Sequence, residues 1–476
     1  MEFGFLSVIP PIIAMTIAVL YKKVSLALLL GILTGNLLLC NWNVFHAVTS
    51  TVDGILSVAA SVGNLKIFIF TSLMGAFVIL ATASGGVDGF VEYLTEQNKK
   101  IKNKKQAMLL GYLIGIIIFI DGLLSIMFTG VVTRPITDKY KVSREKLAYI
   151  CDSTSAPINA IIPLNSWGAM LMGLIGTQIA SGIISGDPME LLIKSLPFQL
   201  YSVVSILFVL FYIVTEKDWG PMKKAEERVI KTGKLYDDGV TPLMSDDLSE
   251  DEKLENIKPN KNYMLIPLLV LVGVTFVGLL ITGSGNISKG DGTTSILYSI
   301  IITLIVMFMY YKKENIMTTK QFNTFVTKGI GNMLSLVMLL VLAFTIGNAI
   351  SSLGTGKYLA SLVEGKISGA FGPAIVFIIG SIMGFSTGTS WGTFAIMMPI
   401  AIPMAVSMNS NILISIGAVV SGGIFGDHCS PLSDTTILSS MSAGTDLYSH
   451  FKTQIPYALL SGAISLVLYI VFGLIM

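Results

Sequence analysis

Apolar stretches long enough to cross a bilayer recur along this chain, and nothing else constrains its fold as strongly. Residues 263–282, 295–311, 333–350 and 457–476 each approach the roughly 20 residues that an α-helix needs to span about 30 Å of hydrocarbon. Only 13% of the 476 residues are charged, against about 25% in a soluble domain. Mean hydropathy is +0.76, so lipid and not water is the main solvent. The first run, residues 3–21, has no basic leader before it and no small-residue cleavage pattern after it. It reads as a first span and not as a removed signal.

Other classes recede on the same composition. A net charge of +2, with the basic residues scattered in short loops, leaves no electrostatic footprint for nucleic acid. Cys40, Cys151 and Cys429 are odd in number and lack ligand spacing, which argues against a disulfide framework and a zinc site. The Gly-rich loop with Lys-Ser/Thr that would bind ATP does not occur, and although Ser430 and His428 flank Cys429, neighbouring residues on an unwound segment diverge, so an enzyme is not expected.

Basic residues beside spans stay cytoplasmic. The clusters Lys22-Lys23, 99–105, 134–146, 217–234 and Lys312-Lys313 therefore over-determine the path. Spans at 3–21, about 24–40 and about 66–85 satisfy the first two clusters. The stretch 108–135 must then enter and return, or it would strand Arg134, Lys139 and Arg144 on the wrong side. It reads as a cytoplasmic-side hairpin with its tip at Asp121-Gly122-Leu123-Leu124-Ser125. Polar residues 216–262 read as a cytoplasmic linker with little core to bury and a short surface helix.

The linker divides the chain into residues 1–215 and 263–476, each with about five crossings. An odd number of crossings inserts the second half upside down. Its hairpin, 372–404, comes from the external side with a tip at Phe385-Ser386-Thr387-Gly388-Thr389-Ser390. After each hairpin a span is interrupted by polar and proline residues, at 151–159 and 426–436, with Pro157 and Pro431 in equivalent places. The expected fold is an all-α polytopic membrane protein of inverted-topology repeats, each with a re-entrant hairpin and a broken transmembrane helix. Both termini are expected outside a bacterial cytoplasmic (inner) membrane.

Ionisable groups inside a bilayer cost at least roughly 2.5–3.5 kcal/mol each on insertion scales, so they mark function. Away from span ends the sequence places Asp121, Asp152, Asp427, His428 and Asp434 at hairpin tips or breaks. A desolvated Na⁺ takes oxygen ligands. Asp152, Ser153, Thr154 and Asn159 offer them in the first half, and Ser386, Thr387, Thr389, Asp427, Asp434 and Thr435 in the second. Asp121, Ser125, Ser155, Trp167, Trp391, His428 and Ser430 are the candidates for contact with an organic substrate. Each has a plainer alternative: hydroxyls back-bond to their own helix, Asp121 caps a helix, His428 serves structure or gating, and the tryptophans pack or anchor.

The run Gly426-Asp427-His428-Cys429-Ser430-Pro431-Leu432-Ser433-Asp434-Thr435-Thr436 resembles the signature of the NhaC family of Na⁺/H⁺ antiporters. Thr133-Arg134-Pro135-Ile136-Thr137-Asp138-Lys139-Tyr140, the segment Lys146 to Thr154, and Ser390-Trp391-Gly392-Thr393 with Pro399 are also similar to family patterns. The resemblance implies a secondary transporter of the ion-transporter superfamily, with Na⁺ and H⁺ as transported or coupling ions, no cofactor, and homodimers common among its members. Many members carry two adjacent acids and an asparagine at the first hairpin tip, and this chain does not. Similar proteins include a malate/lactate exchanger and amino-acid carriers. Two expectations follow: a Na⁺/H⁺ antiporter or Na⁺-coupled exchanger working by alternating access, or a Na⁺- or H⁺-coupled carrier of a small organic acid or amino acid.

Overall fold

A computed structural model describes residues 3–21, 24–96, 101–119, 122–236, 254, 257–286, 290–355, 358, 368–431 and 433–476. Lys22, Lys23 and Asp121 lie outside the described residues. The described chain is helical, and eight of its helices are long and apolar enough to cross a membrane, or nine when the pair bent by 45° at residues 162–165 counts as one span.

The first half runs α1 (Ile9–Tyr21), α2 (Val24–Leu39), α3 (Val44–Ala60), α4 (Val62–Ala83), α5 (Gly86–Glu96), α6 (Lys104–Ile117), α7 (Gly122–Lys139), α8 (Arg144–Ile161), α9 (Ser166–Ala180), α10 (Pro188–Ser195) and α11 (Leu200–Thr215). A short α12 (Gly220–Thr232) follows. The second half runs α13 (Asn262–Thr282), α14 (Gly292–Lys313), α15 (Thr319–Ser352), α16 (Gly372–Thr387), α17 (Ser390–Ser407), α18 (Ile412–His428), α19 (Asp434–Ala443) and α20 (Leu447–Ile475). The order hairpin, broken helix, closing helix occurs twice: α6–α7, α8/α9, α11, and α16–α17, α18/α19, α20.

Two close crossings hold this arrangement. A Cβ on Gly75 of α4 would sit 2.3 Å from the Gly329 carbonyl of α15, so the long helices of the two halves touch backbone to backbone. On the other side α18 lies equally close to α16, where Cβ atoms on Gly422 and Gly426 would meet the Phe377 and Ser381 carbonyls at 2.7 and 2.2 Å. Without a hydrophobic drive between helices in lipid, such small-residue contacts supply the packing.

Three expectations change. Pro157 does not break its helix: α8 runs from Arg144 through Ile161. Proline frees the carbonyl four residues back, and here Ser205 Oγ donates to that Ser153 carbonyl at 3.3 Å. The break falls at residues 162–165, so Pro163-Leu164-Asn165, and not Pro157, matches Pro431-Leu432-Ser433. Residues 44–60, unassigned from the sequence, form α3, capped by Asn43, whose side chain accepts from the His46 N–H.

The linker, third, is not coreless. Met222, Ala225, Glu226 and Val229 of α12 are buried. Glu226 pairs with Lys104 and accepts from the Ser143 N–H at 2.7 Å, while Arg228 holds both oxygens of Glu145 at 3.0 Å. Lys146, fully buried, pairs with Asp218 and lies 5.5–6.0 Å from the ring centres of Tyr149, Tyr212 and Tyr457. These ties fasten the linker's start to the base of α8.

Asp218→Ala therefore strands a buried ammonium and is expected to cost about 3–5 kcal/mol. Thermal unfolding of detergent-solubilised protein measures it, and pairing the change with Lys146→Met is expected to recover most of the loss.

Candidate functional site

The two breaks are built alike. Counting from the aligned prolines, Asn159 and Asp427 both lie four residues before, and Ser166 and Asp434 both three after. Asn165 caps α9 by accepting from the Gly168 N–H at 3.0 Å, while its amide nitrogen donates to the carbonyls of Phe119 at 3.0 Å and Asn159 at 2.9 Å. One side chain thus joins the first hairpin tip to both halves of the broken helix. In the second repeat Ser433 caps α19 by accepting from the Thr436 N–H at 3.2 Å. There Ser390, first residue of α17, donates to Asp427 Oδ2 at 2.8 Å.

A cavity of about 430 Å³ opens where the tips meet. Gly122, Ser166, Trp167, Trp391, Asp427, Asp434 and Thr435 form one wall, and Ser25 of α2 with Asn332, Ser335 and Leu339 of α15 face them. The rings of Trp167 and Trp391 lie 5.2 Å apart, one from each repeat. Asp427 is buried, and its Oδ1 has no partner. Asp434 is exposed toward the cavity and its Oδ1 accepts from the Thr435 N–H at 2.9 Å.

Five of the sequence candidates, Asp427, Asp434, Thr435, Trp167 and Trp391, therefore share one wall. Asp152 is elsewhere: it is buried within α8, where its Oδ2 accepts from Gln454 Nε2 at 2.6 Å and Thr436 Oγ1 at 3.2 Å. His450 Nε2 stands 3.5 Å from Asp152 Oδ2, and His428 Nε2 3.8 Å from Oδ1. His428 Nδ1 in turn meets the Tyr201 hydroxyl at 3.1 Å. Adjacent residues of α18 thus face two places, Asp427 the cavity and His428 this second cluster.

Most hydroxyl candidates serve the framework. Ser125 Oγ lies 3.0 Å from the Gly115 carbonyl, to which it donates, and 2.9 Å from Ser155 Oγ, stitching the first hairpin to α8. Thr154, Ser386 and Thr387 back-bond to carbonyls of their own helices at 2.6, 2.8 and 2.9 Å. The last two stand in the final turn of α16, because the second hairpin turns at Gly388, whose φ of 64° suits glycine. Thr389 and Ser430 occupy the turn and the second break, Ser153 lends its carbonyl to Ser205, and Asn159 lies against the Gly122 end of α7. None of these nine lines the cavity.

The sequence reading missed His450, Gln454, Asn165 and the α15 wall. His450 and Gln454 are four residues apart, one helical turn, just ahead of the apolar run that begins at 457. That spacing was their signal.

The sequence profile of the Na⁺/H⁺ antiporter family matches residues 165–474. The chain belongs to the Na⁺/H⁺ antiporter family. An uncharacterized protein of Haemophilus influenzae is 33% identical over 98% of this chain and 90% of its own length. An arginine/ornithine antiporter of Halobacterium salinarum is 46% identical over 61 residues, 13% of each chain. Among solved structures, MtrF of Neisseria gonorrhoeae, described as illuminating a class of antimetabolite efflux pumps, superposes with a TM-score of 0.60 at 13% identity, over 91% of this chain and 85% of its own. At that identity the likeness concerns the fold. This family member is a multi-pass, all-α membrane protein and a secondary transporter.

Because Asn165 ties three segments, Asn165→Ala is expected to loosen the first hairpin tip and cost about 2–3 kcal/mol, a lost cap plus a lost tip contact. Hydrogen exchange is expected to rise at residues 116–119 and 166–168 while α13 and α14 stay unchanged.

Proposed function

We propose that this chain exchanges Na⁺ for H⁺ across a bacterial cytoplasmic membrane by alternating access, with the cation held at Asp427 and Asp434. The observation that carries this is Asp427, a buried carboxylate that lines a cavity between two helix breaks and keeps one oxygen, Oδ1, without a hydrogen-bond partner. A hard cation suits that oxygen, with Asp434 and Thr435 on the same wall. A proton competes for the same carboxylates, and antiport follows from that competition.

The packing supports motion of one part against another. The hairpins and broken helices interlock through Gly422, Gly426, Asn165 and Ser390, whereas α4 and α15 form a separate crossing at Gly75 and Gly329. The cavity lies between the two sets, so sliding or rocking at that seam exposes it to alternate sides. In this reading residues 1–215 and 263–476 are the inverted repeats, 216–262 is a cytoplasmic linker, and both termini are external. No resident cofactor and no covalent chemistry take part, and the unit pairs as a homodimer.

A second reading, a Na⁺- or H⁺-coupled carrier of a small organic acid or amino acid, is favoured by the volume of the cavity and by the short match to an arginine/ornithine antiporter.

In proteoliposomes carrying a pH-sensitive dye, Asp427→Asn is expected to raise the Na⁺ concentration for half-maximal proton movement roughly 10- to 100-fold. Unchanged Na⁺ dependence in Asp427→Asn and Asp434→Asn together would remove the cation from this wall.

A further inference from the structure

The cavity is larger than a bare ion needs, and it is furnished for a particular guest. Its volume is about 430 Å³, whereas a water takes about 30 Å³ of liquid and small-molecule pockets begin near 300 Å³. Among the described residues lining it are two carboxylates, Asp427 and Asp434, and no lysine, arginine or histidine. Such a wall favours positive charge and repels a dianion. Asp427 is 1% exposed, with Oδ2 occupied by Ser390 and Oδ1 unpartnered. A donor delivered to that oxygen recovers the cost of its desolvation. Beside it stand Trp167 and Trp391, ring centres 5.2 Å apart, and indole faces attract ammonium groups.

We propose that the cavity binds the protonated amine of a small amino acid, with the ammonium donating to Asp427 Oδ1 against the Trp167–Trp391 pair. This rests on the reading of the cavity as the transport site and narrows its organic cargo to molecules that carry an ammonium group. The opposite pole of the solute has its own partners. Ser166 and Trp167 are the first two residues of α9, Trp391 is the second of α17, and all three line the cavity. Unpaired amides at those helix starts carry partial positive charge and suit a carboxylate. A hydroxy acid satisfies the helix starts but brings no cation for Asp427, and a dicarboxylate adds a charge that Asp434 opposes.

Purified full-length protein in proteoliposomes, followed by tryptophan fluorescence and thermal unfolding, tests this with L-alanine, L-lysine, L-lactate and L-malate, with and without Na⁺. Alanine and lactate differ only in ammonium against hydroxyl, so the pair isolates the amine. At least one amino acid is expected to bind roughly tenfold or more tightly than lactate. Trp391→Leu is expected to weaken that binding roughly tenfold, and Trp391→Phe, which keeps an aromatic face and the fold, to retain most of it. Lactate or malate binding as tightly as both amino acids overturns the proposal, as does equal loss in the two Trp391 variants. If neither amino acid binds while an imposed Na⁺ gradient still moves protons, the amine proposal falls and the cation reading stands. If neither event occurs, both fall.

Discussion

Helix ends brought into the interior of a membrane protein expose amides and carbonyls that water does not reach, and each must find a partner in the protein or in what the protein carries. This chain gathers the ends of α6, α7, α8 and α9 and, in the same order, those of α16, α17, α18 and α19. Asn165 meets much of the demand in the first repeat, linking Phe119, Asn159 and Gly168 through one amide. In the second, Ser390 and Ser433 divide the work. Beside the second break Asp427 Oδ1 is left without a hydrogen-bond partner. The remaining architecture serves to hold these ends in register.

Two kinds of contact keep that register. Backbone-to-backbone crossings at Gly75 with Gly329, and at Gly422 and Gly426 with α16, leave no room for a Cβ, so each crossing is tight and hard to slide. The seam between the two sets is different. Ser25, Asn332 and Ser335 face the tips across open volume. The backbone-to-backbone crossings thus fall where glycines are, and the cavity lies between them.

Charges sort by depth in the same way. At the base of α8, Lys146 and Glu145, and at the start of α6, Lys104, find partners in the linker, whose α12 becomes a strut and not a tether. Deeper in, Asp152 is enclosed by Gln454, Thr436, His450 and His428, so its charge is shared within a closed polar cluster. Asp427, next in sequence to His428, is left facing the cavity. Each is buried and keeps one oxygen without a hydrogen-bond donor, Asp152 Oδ1 and Asp427 Oδ1, but only Asp427 lines the cavity.

Composition and periodicity alone determined that the chain is a bundle of membrane helices, because apolar runs of bilayer length have no other stable use. Loop charge around Arg134 gave the expectation of the first hairpin, a polar tip and closing prolines that of the second, and the motif around Asp427 carried the family. Tertiary structure decided the rest. Pro157 read as a break and is not one, because Ser205 from another helix takes the freed Ser153 carbonyl, and no local pattern announces a donor 52 residues away in sequence. Asp152 and Asp427 read as equivalent ligands, and packing separated them: Asp152 meets His450 and Gln454 from α20, while Asp427 meets a cavity whose far wall is α2 and α15. A sequence shows which residues are too polar for lipid. Which of them are satisfied by the protein itself depends on partners far along the chain, and only the folded arrangement supplies those.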